Sequence, residues 1–271
     1  MAPGPVRLPA RSSPLIPANR IHPISLKYMQ DWVPGPNIGG PLSSAPNNFL
    51  NTEGRPTNAD QVNTRIDYVQ SPKLTWMFRY AHSGEAIYTP INIPQEGTNT
   101  NSQVHQGMFG NTWVIGPNKV NEFKFGISRL ENIQATIHAG SRNIVSELGI
   151  QGIDTSNPLY WGTPNVNLGG GISNFGENSD IPFNTWDTII QASNNFSWTH
   201  GKHGFKFGAD ISRTRYNVIN GTVTRGRFTE TGQYTTNGQP GAATVTANNV
   251  ADFMLGLFSL TEGQVGEPLA S

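Results

Sequence analysis

The chain has 271 residues, zero formal net charge, no cysteine, and a charged share of only 13%. It lacks the basic footprint of a nucleic-acid binder, so no nucleic acid is expected as a partner, and the missing cysteines exclude disulfides and thiolate metal sites. Thirty glycines, 20 prolines and a 35% hydrophobic share favour strands, turns and loops over helix bundles.

Residues 1–19 are proline-rich and aperiodic, which reads as an extended lead-in. The first ten lack the apolar stretch of a secretory signal, so the chain is expected to be a fragment of a longer protein. The spacing of Ile24, Leu26, Met29 and Trp32 predicts one short helix over 23–32, stopped by Pro34-Gly35-Pro36. Polar loop follows, and the lead-in, helix and loop together form a first segment, 1–60.

Three hairpins come next. The first spans 63–82, with Ile66, Tyr68, Leu74, Trp76, Phe78 and Tyr80 on one face and a turn at Ser71-Pro72-Lys73. In the second, Phe109, Asn111, Trp113 and Ile115 run through Gly116-Pro117-Asn118-Lys119 to Phe123, Phe125 and Ile127. The third joins Trp186, Ile190, Phe196 and Trp198 through Thr199-His200-Gly201-Lys202 to Phe205, Phe207, Ala209 and Ile211. Each strand alternates apolar with polar, the pattern of a sheet with two unlike faces. Lys206, Asp210, Arg213, Glu122 and Lys124 are expected on the polar face.

The connections between hairpins are longer, roughly twenty residues after His82 and on the order of fifty between Ile133 and Thr185, well beyond ordinary loops. Short turns at one end and long loops at the other mark an outer-membrane barrel, whose strands need only about 9 to 11 residues to cross. Trp76, Phe78, Phe123, Phe125, Phe196, Trp198, Phe205 and Phe207 lie near the short turns and are expected to form a membrane-facing girdle against outer-membrane lipid. The turns at Pro72, Pro117 and Gly201 are then periplasmic and the loop 134–184 extracellular. Within that loop Tyr160, Trp161, Asn174 and Phe175 are candidates for contact with an unknown ligand, although packing among loops is the favoured reading of its aromatics.

No catalytic constellation, cofactor site or metal site is expected. His200 and His203 flank a turn with no third ligand nearby. Gly169-Gly170-Gly171 lacks phosphate-loop spacing, and Glu177 with Asp180 or Asp187 reads as solvated carboxylates. The alternative from another class is a secreted β-sandwich, carbohydrate-binding or adhesive, in which the apolar faces pack on each other.

Several motifs in shared order resemble a known family. They are Ile16-Pro17-Ala18-Asn19-Arg20-Ile21, Pro34-Gly35-Pro36-Asn37, Asn63-Thr64-Arg65-Ile66-Asp67, Val120-Asn121-Glu122-Phe123, Leu148-Gly149-Ile150-Gln151-Gly152-Ile153, Gly201-Lys202-His203-Gly204-Phe205-Lys206-Phe207-Gly208, Gly226-Arg227-Phe228-Thr229 and Ala251-Asp252-Phe253-Met254-Leu255-Gly256. Together they resemble the TonB-dependent outer-membrane receptors of the Oar-like group. The resemblance implies a plugged barrel of about 22 strands, often preceded by a carboxypeptidase-regulatory-like domain, which imports a ligand. It also implies a partner, the TonB energy-coupling protein, engaged through an N-terminal part that this chain lacks.

The expected fold is therefore all-β, an antiparallel up-and-down meander: a partial transmembrane β-barrel with long extracellular loops and one short helix near the N-terminus. Its barrel segment, 61–271, would hold about six to eight strands. Open edges in hydrocarbon cost several kcal/mol per unpaired group, so the chain expressed alone is expected to aggregate.

Overall fold

The computed structural model describes residues 16–39, 47–236 and 246–263, so most of the lead-in, 1–15, lies outside the described residues. In chain order the elements are α1 (Pro23–Trp32), β1 (Thr57–Ser71), β2 (Leu74–Pro90), β3 (Gly97–Gly116), β4 (Lys119–Thr136) and α2 (Ile144–Leu148). They continue with β5 (Asn165–Asn167), β6 (Phe183–His200), β7 (His203–Asn220), β8 (Arg227–Thr229), α3 (Thr246–Leu255) and β9 (Leu260–Glu262).

The six long strands form one sheet in the order β1-β2-β3-β4-β6-β7, antiparallel throughout. This is an open meander. β1 and β7 each pair on one side only, so the sheet does not close. The three hairpin turns lie at one end, where Ser71 pairs with Leu74, Gly116 with Lys119 and His200 with His203. Bulges at Val69/Ser71 and Val114/Gly116 fit two of them to the strand twist, and Gly201 supplies the positive φ, 61°, that the third requires.

The connection after His82 is much shorter than expected. β2 runs on to Pro90 and β3 starts at Gly97, leaving a loop of 91–96. Beyond His82 the strands carry polar residues on both faces, such as Ser83, Glu85, Asn99 and Asn101. Alternation, the signal that reveals a strand in sequence, vanishes there although the ladder continues.

Register shows how side chains collect on the two faces. One row across the sheet reads Ile66, Phe78, Phe109, Phe125, Ala192 and Ile211. The next row toward the turns is Tyr68, Trp76, Asn111, Phe123, Asn194 and Ala209. These rings have no second layer over them: Phe78 is 46% exposed, Phe207 57% and Ile211 71%. The sandwich alternative required that layer, and among the described residues none is present.

The packed core sits elsewhere. Tyr28, Trp32, Ile93, Ile144, Leu148, Val166, Leu168, Phe175 and Phe253 form its buried cluster, and none of them belongs to a long strand. These residues come from α1, α2, α3 and the connections at the end of the sheet opposite the turns, which together build a cap. α1 begins with Pro23 at its first turn and buries Ser25, Tyr28 and Trp32 on one stripe. Tyr28 and Phe175 have ring centroids 5.3 Å apart, and Phe175 and Phe253 meet edge to face at 5.4 Å. β5, β8 and β9 form a small second sheet in the cap. The helix of segment 1–60 thus packs with elements of 61–271, and α2 and α3 are helices that the sequence did not announce.

Candidate functional site

Two regions carry functional geometry: the apolar face of the sheet and the cap. On the sheet, all eight expected girdle residues share one face. They occupy four successive rows from Trp198 and Phe205, through Phe196 and Phe207, then Trp76 and Phe123, to Phe78 and Phe125. Trp76 stacks on Phe109 at 5.4 Å, Trp198 tilts against Phe205 at 5.5 Å, and the Lys119 ammonium lies 5.7 Å above the Trp198 ring. The Trp76 indole N–H donates to Gln70 Oε1 at 2.8 Å, so its polar end is satisfied.

A fifth row, Tyr80, Ile127 and Ile190, completes the apolar band. Five rows span about 27 Å along the strands, or about 20 Å at barrel tilt, close to the ~25 Å apolar band of outer-membrane barrels. The row beyond turns polar, with His82, His105, Arg129, Thr188 and Arg215 in register. β3 alone, at 20 residues, reaches about twice the length a crossing needs. The sheet therefore continues past the apolar band toward the cap.

The opposite face carries Arg65 paired with Asp67 at 2.8 Å, Glu122, Lys124, Lys206, and Asp210 accepting from Gln191 at 3.1 Å. Arg213 does not join them. It pairs with Ile190 and so shares the face of Phe207 and Ile211, six and two residues earlier. Its position at the rim of the apolar band explains how that face tolerates it, because a long guanidinium side chain can reach the polar boundary.

In the cap the four ligand candidates separate. Tyr160 and Phe175 are buried, and Phe175 lies at the centre of the core. Trp161 is half-buried, donating its indole N–H to Thr155 O at 2.9 Å. Asn174 is exposed. Phe175 is buried because the rings of Tyr28 and Phe253 pack against it.

A buried polar network that sequence reasoning missed holds these segments together. Gly176 N–H donates to Glu96 Oε2 at 3.1 Å, Thr163 N–H to Glu177 Oε2 at 3.0 Å, and Glu177 N–H back to Thr163 Oγ1 at 3.0 Å. Tyr28 donates to Pro164 O at 2.9 Å, and Arg225 donates to Ile181 O at 2.7 Å and also to Asn178 O. Glu177, read from sequence as a solvated carboxylate, has 1% exposure, while Asp180 is exposed and Asp187 sits on β6. Burial, reinforced by the nearby Glu177 charge, pushes the Glu96 carboxyl up to about 8. Burial raises Glu177 to about 7 against the attraction of Arg225, and lowers Arg225 to about 10. Enclosed this way, the network clamps three loops.

An acid whose folded pKa exceeds its unfolded value binds its proton more tightly when folded. Its stabilising share is complete below the ordinary value of 4.5 and is lost as pH rises through about 8. The thermal midpoint of the cap should therefore fall between pH 5.5 and 8.5, and Glu96→Gln should remove part of that fall, because Glu177 is also raised into this window. A wild-type midpoint that is flat or rises over this range, followed by near-ultraviolet circular dichroism, would contradict the assignment.

Among the described residues no three His, Cys, Asp or Glu side chains gather at metal-ligand spacing, and no helix is long and apolar enough to cross a membrane. A family model described as an outer membrane beta barrel domain matches residues 5–270. No curated protein and no solved structure matches the chain.

Proposed function

Because the chain belongs to the outer membrane beta barrel domain family and its place is the outer membrane, we propose that it forms part of the barrel of a TonB-dependent receptor of the Oar-like group. In this reading its apolar face meets lipid, its polar face lines a wet interior, and its cap faces outward to meet a ligand. It acts by binding and gating, not by catalysis. The observation that carries the proposal is the uncovered apolar band joined to a packed cap at the end opposite the turns. The ordered motifs from Ile16 to Gly256 support the finer assignment to the Oar-like group.

Backbone groups in hydrocarbon must be paired, so the free edges of β1 and β7 call for closing strands, which the receptor's other barrel strands would supply. Energy would come from the TonB protein acting through a coupling segment ahead of the barrel.

Orientation is tested with a membrane-impermeant maleimide on intact cells, which should label Asn174→Cys in the cap and spare Lys202→Cys at a turn. The reverse pattern would invert the topology. Energy coupling is tested by co-isolating TonB with the full-length product from solubilised outer membranes. A surface-exposed barrel that never retains TonB would defeat the receptor assignment and leave the barrel intact.

A further inference from the structure

One corner of the cap holds two carboxylates with no cation. Glu230 and Asp252 are 1% and 0% exposed, and among the described residues neither has an ion-pair partner. They are close enough that the Asp252 charge, after burial, helps raise the Glu230 carboxyl to about 8. Asp252 Oδ2 accepts the Tyr234 N–H at 3.2 Å, but Asp252 Oδ1 and both Glu230 oxygens have no donor.

A third side chain is turned toward the same corner. Asn249 precedes Asp252 by three residues on α3, which places both on one face of the helix. Its Nδ2 donates to Leu168 O, and this fixes the amide. Asn249 Oδ1 is then buried without a donor, and it lies 2.5 Å from where a Cβ on Gly232 would stand, two residues past Glu230. Three nearly inaccessible side chains on α3 and the segment 230–234 thus leave four oxygens without a donor.

Buried acceptors of this kind need donors or a cation. One shared proton could link Glu230 to Asp252, but it would leave Asn249 Oδ1 unanswered. A hard divalent cation answers all four, since calcium accepts carboxylate, amide and backbone oxygens at variable coordination number, including bidentate glutamate. We propose that Glu230, Asp252 and Asn249 form a calcium-class cation site that fastens α3 to the segment 230–234. Magnesium fits less well, because it demands near-regular octahedral geometry and retains several waters. An outward-facing cap would meet calcium at the concentrations for which extracellular sites are tuned, on the order of 10⁻⁴ to 10⁻³ M.

The test uses the full-length product solubilised in detergent, where other strands can pair with the free edges of β1 and β7. Calcium titration should slow proteolysis within 230–255 with a midpoint on the order of 10⁻⁵ to 10⁻³ M, and calorimetry should show matching binding. Glu230→Gln and Asp252→Asn should each weaken the midpoint at least tenfold, with the circular dichroism of the sheet unchanged. If one variant fails to fold, the other carries the test. Protection that ignores up to ~10 mM calcium overturns the site. Protection that appears only as pH falls from 8 to 5, with a pH dependence that Glu230→Gln removes, also overturns it and assigns the corner to a shared proton. Equal calcium response in wild type and both variants would overturn it as well, placing the ion elsewhere.

Discussion

Gly176→Ala is expected to open the cap while the six-stranded sheet stays paired. Gly176 holds φ at 86°, and a Cβ there would collide with the carbonyl of Pro164 and stand 2.9 Å from the Tyr28 hydroxyl. The left-handed conformation alone costs an L-residue about 1–2 kcal/mol. Collision with backbone adds to this, because Pro164 O already accepts from Tyr28 and cannot retreat without breaking that bond. A total above about 3 kcal/mol is expected. Gly171 serves as control, since its φ is 87° but nothing lies within 4 Å of a Cβ, so Gly171→Ala should cost only the conformational strain. Hydrogen exchange reads both parts of the molecule. Loss of protection at Val166, Phe175 and Phe253 with retention at Phe109 and Phe125 is the predicted outcome. Equal behaviour of the two variants would remove the clamp from the account.

The second large effect is expected on the sheet. Phe125 lies in the fourth of five apolar rows and is 40% exposed. Phe125→Arg should destabilise insertion by about 2–4 kcal/mol, the cost of a guanidinium near the bilayer midplane of a barrel. Thr112→Arg makes the same chemical change on the opposite face, across from Glu122, and should be nearly neutral or slightly stabilising. Urea extraction from outer membranes measures the difference. Equal midpoints for the two variants would mean that the faces are not divided between lipid and water.

The three hairpins and the division of their faces were legible because a sheet with one apolar and one polar face imposes a period of two. Ile66, Phe78, Phe125 and Phe207 announce it directly. Arg213 was readable by the same rule, since it follows Phe207 by six residues and must share its face. The outer halves of the strands were not legible, because both of their faces carry polar residues such as Ser83, Glu85, Asn99 and Asn101 and the alternation is lost. The cap was hidden for a different reason. Its core collects Tyr28, Ile93, Ile144, Phe175 and Phe253 from five separated stretches, of which only that of Tyr28 was read from its spacing. Packing was the favoured reading of the loop aromatics, but nothing local reveals that Tyr28 and Phe253 are the residues that meet Phe175. Glu177 looked like a solvated carboxylate for the same reason, although burial brings it beside Arg225.

The central claim is that the face bearing Phe125 touches hydrocarbon while its neighbour Lys124 faces water. The chain has no cysteine, so a spin label can be attached at either position through Phe125→Cys or Lys124→Cys without background. In bilayers, collision with oxygen should dominate at position 125 and collision with a water-soluble nickel chelate at position 124. A label at 125 that meets the nickel chelate as readily as one at 124, or that is shielded from both reagents, would contradict the account.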